Sequence, residues 1–159
     1  MDKILICYFS ATGKTEYYAK DMNKIIKGDL FEIEPVEKYS KEDLNWMNDN
    51  SRSSREMSDE KNRPAIKNKI ENINEYNKII IGFPIWWYTF PRIINTFIEE
   101  NDLKNKEVYI YATSGGSGIT PCYRAMKQQY SDLNIKDSKL INNLDDCEVF
   151  LDRIINDKK

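Results

Sequence analysis

The stretch YFSATGKT, residues 8–15, decides the fold that this sequence predicts. It follows a short apolar run, Ile4 to Phe9, which is typical of a strand buried on both faces, and it leads into a helical pattern that begins near Thr15. The polar loop between strand and helix offers three hydroxyl groups, free backbone N–H groups at a helix N-terminus, and Gly13, which tolerates positive φ. These features predict a phosphate-binding loop.

Three other phosphate-binding motifs do not fit this loop. It ends in Gly-Lys-Thr like the P-loop pattern GxxxxGK[ST], but Tyr8 stands where that pattern requires its first glycine. The bulk of this side chain should prevent the backbone from wrapping around two phosphates. Cysteine phosphatases have an arginine six positions after the cysteine, and the residue six positions after Cys7 is Gly13. The GxGxxG dinucleotide fingerprint is also missing. The loop therefore suits a single terminal phosphate monoester.

The composition predicts a single soluble globular domain spanning residues 1–159, with 40% hydrophobic residues and a formal net charge of -2. No basic block is long enough to track nucleic acid, which we do not expect as a partner. No apolar run approaches the roughly 18 residues of a membrane span, and the N-terminus lacks the layout of a signal peptide. We therefore expect a cytoplasmic protein that does not engage a membrane.

Few side chains are suited to catalysis. Cys7, Cys122 and Cys147 are odd in number and lack metal-ligand spacing, which favours reduced, partly buried thiols over a disulfide or a zinc site. The chain contains no histidine. Acid–base chemistry would therefore come from carboxylates, tyrosines, water or a cofactor.

The segments after the loop alternate between helix and strand. The first helix ends with Gly28 as its predicted C-cap, and a second strand begins near Leu30 and stops at Pro35 or just before it. Residues 39–63 are polar and rich in serine and arginine, which predicts a solvated surface excursion with some helical turns rather than a functional arginine cluster. In residues 66–76 apolar side chains recur in steps of four, three and three, a spacing that predicts an amphipathic helix covering one face of the sheet.

Three further strands complete an alternating β/α order. They are residues 79–83, 108–111 and 139–141. Pro91 starts one of the helices that follow, Thr120 and Pro121 are predicted as the N-cap and first turn of the next, and a capping box at Asp145 and Glu148 starts the last. Right-handed crossovers between parallel strands place all the carboxyl ends of the strands at one edge of the sheet. The predicted fold is an α/β three-layer α/β/α sandwich with a five-stranded parallel sheet in the order 2-1-3-4-5.

Two loops of unusual composition follow the third and fourth strands at that edge. Residues 84–88, PIWWY, place three aromatic side chains where an open α/β sheet binds its ligand. Residues 113–118, TSGGSG, hold three glycines in four residues. Glycines cost backbone entropy on folding, so their number here is explained if a flat ring must lie close to the backbone. A core plug or an oligomer contact remains the alternative for Trp86 and Trp87. Because adjacent side chains cannot both point one way, we expect one to cover a ligand and the other to pack or contact a partner.

The sequence SATGKT resembles the phosphate-binding loop of flavodoxins, which holds the phosphate of flavin mononucleotide (FMN). With FPIWWYTFP and TSGGSG, the resemblance covers nearly the whole chain, is closest to small bacterial flavodoxin-like proteins, and extends to quinone reductases of the same fold. It implies a flavodoxin-like fold and an FMN cofactor. The implied contacts are Ser10, Ala11, Thr12, Gly13, Lys14 and Thr15 for the phosphate, Pro84, Ile85, Trp86 and Trp87 for the ring and its N5 edge, and Ser114, Gly115, Gly116, Ser117 and Gly118 for the pyrimidine side.

The resemblance favours electron transfer between redox partners and leaves two other functions open. A net charge of -2 offers little of the acidic field that steers electron-carrier flavodoxins. Trp87 stands where those carriers commonly have a glycine that helps to stabilise half-reduced flavin, and we expect it to resist positive φ. The alternatives are an FMN-dependent NAD(P)H:quinone or nitro-compound reductase and a non-redox flavin-binding or interaction module. We expect redox proteins or a small electron acceptor as partners, and a monomer or weak homodimer.

Overall fold

The computed structural model describes residues 3–114 and 116–156, in which strands and helices alternate. The elements are β1 (Ile4–Tyr8), α1 (Lys14–Ile26), β2 (Asp29–Glu32), α2 (Arg52–Ser58), a 3-10 helix (Ile73–Glu75), β3 (Lys78–Pro84), α3 (Arg92–Glu100), β4 (Glu107–Thr113), α4 (Thr120–Gln129), β5 (Asn134–Leu140) and α5 (Leu144–Ile155). Gly115, which the resemblance places at the pyrimidine side, lies outside the described residues. None of the described helices is both long and apolar enough to cross a membrane.

The five strands form one parallel sheet in the order β2-β1-β3-β4-β5, which confirms the predicted fold. The central strands are buried almost throughout because helices cover both faces of the sheet. On one face α1 and α5 pack over Tyr109 and Tyr111, and on the other α3 and α4 pack over Ile79 and Phe83. The carboxyl ends of all five strands therefore meet at one edge, where the loops after β1, β3 and β4 lie together.

The predicted amphipathic helix at residues 66–76 is wrong. Only the three-residue 3-10 helix forms there, and Ile66 instead bridges Pro35 in the antiparallel sense. The chain exchanges backbone hydrogen bonds with residues 34–36 that a helix would have made internally. The isoleucines of the segment still pack, partly buried, on the core beside α3. Their spacing therefore reflects an extended chain that touches the core at intervals.

Two strands and three helix caps differ from the sequence prediction. The C-cap of α1 is Lys27 rather than Gly28, and the N-cap of α4 is Ile119 rather than Thr120. β2 ends at Glu32, earlier than expected, and β5 begins five residues before the predicted segment. The sequence of β5, NIKDSKL, is polar, so its full length is not recognisable as a strand. A polar sequence is compatible with this position because β5 is an edge strand, which pairs on one side only. α5 is capped by Asn143, whose side chain accepts a hydrogen bond from the N–H of Asp146 at 2.9 Å, so the capping box predicted at Asp145 and Glu148 is wrong.

The structure agrees with the prediction of free thiols but buries all three cysteines fully rather than partly. Cys7, Cys122 and Cys147 are free and fully buried. Burial raises the pKa of each of these thiols above its ordinary value. Because the thiolate is the reactive form, we expect all three to be inert near neutral pH.

Candidate functional site

The loop between β1 and α1 has the form of an anion cradle. Gly13 lies at φ 96°, and a Cβ built on it would meet no atom within 4 Å. Oγ of Ser10 accepts hydrogen bonds from the N–H groups of Gly13 at 3.0 Å and Glu16 at 3.2 Å. Ser10 therefore shapes the loop as an acceptor and keeps its own proton for a ligand.

Backbone donors surround this cradle. Within residues 3–114 and 116–156, the N–H groups of Ala11, Thr12, Lys14 and Thr15 find no protein acceptor. Thr12 and Lys14 are exposed, whereas Ala11 is half-buried against the core. Unpaired N–H groups at the start of a helix form a site for an anion, which would satisfy them.

Thr15 joins this loop to the end of β4. It is 1% exposed, and its Oγ1 lies 2.8 Å from Oγ1 of Thr113. Oη of Tyr111 donates to the backbone carbonyl of Thr15 at 2.8 Å. If Thr113 is the donor of the hydroxyl pair, the proton of Thr15 stays available to a phosphate. Tyr111 and Thr113 thus support the loop, a role that sequence reasoning missed.

The charged groups around the loop are mixed in sign. Glu16, in the first turn of α1, accepts a hydrogen bond from Oη of Tyr8 at 3.2 Å and pairs with Lys20 at 3.1 Å. Partial burial, and then the carboxylates of Glu34 and Glu16, raise the pKa of Glu32 above its ordinary value. Recognition of an anion in this loop therefore rests on N–H and hydroxyl donors rather than on a positive field.

The aromatic loop after β3 is a two-residue hairpin turn. Trp86 and Thr89 exchange two backbone N–H···O hydrogen bonds of 2.9 Å, and the residues between them, Trp87 and Tyr88, lie at φ 49° and 64°. Positive φ at both central positions is the type I′ geometry, for which Asn-Gly is the usual sequence. Trp87 adopts a positive φ in spite of the intrinsic resistance expected of a non-glycine residue, because the hydrogen bonds that close the hairpin hold it there.

We expect a better turn sequence to stabilise the ligand-free protein. Each non-glycine residue at positive φ costs about 1 kcal/mol. The double change Trp87→Asn with Tyr88→Gly should therefore raise the free energy of unfolding by about 1 to 2 kcal/mol. Thermal unfolding measures the effect, because each kcal/mol should raise Tm by about 2 to 4 °C. Tyr88→Ala is the matched control, since it removes the exposed ring but keeps the strained φ. An Asn-Gly variant that melts no higher than this control contradicts the prediction.

The two tryptophans occupy different environments. Trp86 is half-buried, and its ring meets the rings of Phe9 and Tyr39 nearly at right angles, at centroid distances of 5.7 and 5.4 Å. Trp87 is 43% exposed and Tyr88 is 70% exposed. Trp86 is thus positioned by the core, whereas Trp87 and Tyr88 form the outer tip of the loop.

A cleft of about 730 Å³ lies beside this turn, within the size range of cofactor pockets. It brings together the loops after β3 and β4, and none of its described lining residues is charged. Oγ of Ser114 shapes the glycine loop by accepting from the N–H groups of Gly116 at 3.0 Å and Ser117 at 2.6 Å. The lining residues are Leu44, Trp46, Ser53, Ile85, Trp86, Trp87, Tyr88, Ser114, Gly116 and Ser117. This arrangement suits a flat, uncharged ring.

Three lining residues come from the polar excursion between β2 and β3 and were not predicted. They are Leu44, Trp46 and Ser53. The sequence signal that could have indicated this part of the cleft was Trp46, a lone tryptophan in a polar segment. Its side chain is 68% exposed. Pro84 and Gly118 do not line the cleft, and neither does the loop after β1. The ligand contacts of these residues stay predictions.

A family model described as flavodoxin matches residues 3–154. The chain belongs to the flavodoxin family. This membership confirms the resemblance drawn from the three loop sequences. None of the curated proteins compared with this flavodoxin-family chain matches it.

Solved structures similar to this flavodoxin-family chain include candidate flavoproteins from two Bacteroides species. The protein from Bacteroides eggerthii is 48% identical with a TM-score of 0.92, over 98% of this chain and 99% of that chain. The protein from Bacteroides uniformis is 42% identical with a TM-score of 0.91, over 95% and 98%. A flavoprotein from Lactobacillus acidophilus, solved in complex with FMN, is 26% identical with a TM-score of 0.76, over 94% and 97%.

Proposed function

We propose that this flavodoxin-family protein binds FMN and transfers electrons between redox partners. The observation that carries the proposal is the junction of two unlike sites: a loop of N–H and hydroxyl donors and an uncharged aromatic cleft, connected by the 2.8 Å hydrogen bond between Thr15 and Thr113. FMN has the two matching parts, a phosphate and a flat ring. The FMN complex of the Lactobacillus acidophilus flavoprotein supports the assignment.

The loop residues fit the phosphate end of FMN. Ser10 has a free hydroxyl proton, Thr12 adds an exposed hydroxyl, and no Cβ fills the space at Gly13. Hydrogen bonds to a charged group are worth about 1.5 to 3 kcal/mol each. The unpaired N–H groups and the dipole of α1 add to this attraction.

The cleft residues fit the ring. Trp86 is already held by Phe9 and Tyr39, so it can orient a flat ring with little further loss of conformational freedom. Bound FMN would supply the reversible uptake of one or two electrons. The chain's own residues would bind the cofactor, fix its orientation and keep water from the covered face.

A specific observation favours a reductase as the second candidate. The aromatic side chains at the cleft, Trp46, Trp87 and Tyr88, are 68%, 43% and 70% exposed, and the described lining is uncharged. With a net charge of -2, the protein has little long-range field to steer a charged redox protein. An uncharged small molecule such as a quinone or a nitro-compound fits this surface, with NAD(P)H as the reductant.

The visible spectrum of the purified protein, repeated anaerobically with NADPH and NADH, tests the proposal. We expect a yellow protein that the nicotinamides leave oxidised and that dithionite bleaches, because electron transfer requires a redox partner. Bleaching by a nicotinamide would establish the reductase instead. A colourless protein that takes up no added FMN would contradict both redox functions and leave a non-redox interaction module.

A further inference from the structure

We propose that residues 44–53, between β2 and β3, supply a wall of the ring site, with Trp46 in contact with the flavin ring and the hydroxyl of Ser53 bonded to a polar group of that ring. This inference rests on the proposed function. It adds two binding residues from a segment whose sequence indicated only a solvated excursion.

The first observation is the position of Trp46. It lines the same cleft as Trp86 and Trp87, yet it is 68% exposed. An indole in the wall of an uncharged cleft buries apolar area when a flat ring enters, and aromatic pairs gain further from stacked or edge-to-face contact. The neighbouring Met47 is 74% exposed and does not line the cleft.

The second observation is an unpaired hydroxyl. Ser53 lines the cleft and is 1% exposed, and its Oγ has no hydrogen-bond partner within the described residues. A buried hydroxyl without a partner is costly, and native structures contain few of them. The flavin ring carries carbonyl oxygens and N–H groups at its pyrimidine edge, and either could pair with a serine hydroxyl. A ligand in the cleft would therefore satisfy a group that the protein leaves unsatisfied.

The segment is held in place before any ligand binds. The N–H of Ser53 donates to the carbonyl of Asp43 at 2.9 Å. The guanidinium of Arg52 lies 3.7 Å from the ring centroid of Tyr39, the residue whose ring also contacts Trp86. This chain of contacts ties the new wall to the aromatic turn, so a ring would enter a pre-formed site.

The buried Arg92 of α3 anchors the part of α2 that follows this segment to the body of the fold. Its guanidinium donates to the backbone carbonyls of Glu56 at 3.3 Å and Met57 at 2.9 Å. α2, which carries Ser53, is therefore fastened to a helix that packs directly on the sheet.

Titrations of the wild type, Trp46→Ala and Ser53→Ala with FMN and with riboflavin test the inference. We expect Trp46→Ala to raise Kd about tenfold for both flavins, as loss of an aromatic stacking partner does. Ser53→Ala should raise both Kd values about three- to tenfold through the lost hydrogen bond. The ratio of the two Kd values should stay unchanged, because both residues act on the ring. Met47→Ala and Ser58→Ala are the controls, since both residues are exposed and lie outside the cleft lining.

Thermal unfolding of the ligand-free variants separates binding from folding. Ser53→Ala should melt no lower than the wild type, because it removes an unsatisfied buried hydroxyl rather than a contact. Wild-type affinity in both variants would overturn the inference and leave the proposed function standing. A loss confined to FMN would also overturn it, since the residues would then act at the phosphate. A wild type that binds neither flavin would defeat the proposed function itself and this inference with it.

Discussion

Replacing Ser10 by alanine and Thr12 by valine is expected to lower the affinity for FMN about 100- to 10,000-fold while riboflavin binds almost as before. Under the proposed function, the two changes remove two hydroxyl donors to a charged phosphate, each worth about 1.5 to 3 kcal/mol. Every 1.4 kcal/mol is about tenfold in Kd. Ser10 also accepts from the N–H groups of Gly13 and Glu16, so its loss loosens the loop that presents the remaining donors. Fluorescence titration with the two flavins measures the effect.

Riboflavin is the internal control because it carries the ring without the phosphate. Thr120→Val is the matched control variant, since this exposed threonine starts α4 and does not line the cleft. Wild-type protein that binds both flavins equally would show that the loop after β1 is not a phosphate site. Equal losses for the two flavins in the double variant would place Ser10 and Thr12 at the ring instead.

Gly82→Ala is expected to lower the free energy of unfolding by about 3 kcal/mol or more, a large part of the stability of a typical domain. A Cβ at this position of β3 would lie 2.2 Å from ring atoms of Tyr111 and 2.5 Å from its hydroxyl. Tyr111 is fully buried and cannot move aside without displacing its neighbours. Because the same hydroxyl donates to the carbonyl of Thr15, FMN affinity should fall with stability. Denaturant unfolding and flavin titration measure the two effects.

A double-mutant cycle identifies the clash as the cause. Tyr111→Ala removes the ring, so adding Gly82→Ala to it should cost far less than the same change in the wild type. In the unfolding measurement, Gly118→Ala is the control for a glycine substitution in itself, because a Cβ there meets no atom within 4 Å. Changes at neutral surface positions usually alter the free energy of unfolding by no more than about 0.5 kcal/mol. If Gly82→Ala stays within this range of the wild type, the packing of Tyr111 against β3 does not constrain position 82.

Much of the fold could be predicted because its signals are local. The apolar run before Ser10 and the helical pattern after Gly13 define a strand, a loop and a helix within a short stretch of chain. The alternation of such units predicts a parallel sheet, and right-handed crossovers bring the loops after β1, β3 and β4 to one edge. Residues 66–76 show the limit of this approach, since an extended chain that touches the core at intervals has the same apolar spacing as a helix.

The candidate site could be predicted only in part because its remaining contacts join distant positions. Thr15 and Thr113 are 98 residues apart in the sequence, and Tyr111, which donates to the carbonyl of Thr15, is 96 residues from it. Trp46 and Ser53 belong to a polar segment whose composition indicated only solvent exposure. No periodicity or motif encodes such a pair, because the two residues meet only after the whole sheet has formed.

The sequence by itself determined the β/α order, the edge at which ligand-type loops collect, and the donor-rich loop around Gly13, because each depends on neighbouring residues. Tertiary structure alone decided which residues wall the cleft and how the aromatic turn is held. Trp87 and Tyr88 take positive φ against their intrinsic preference because two hydrogen bonds between Trp86 and Thr89 close the hairpin. Trp46 lines the cleft in a segment that continues into α2, where Tyr39 contacts Arg52 and Arg92 bonds to the carbonyl of Met57. Long-range packing can override local preference in this way because many contacts together outweigh about 1 kcal/mol of strain per residue.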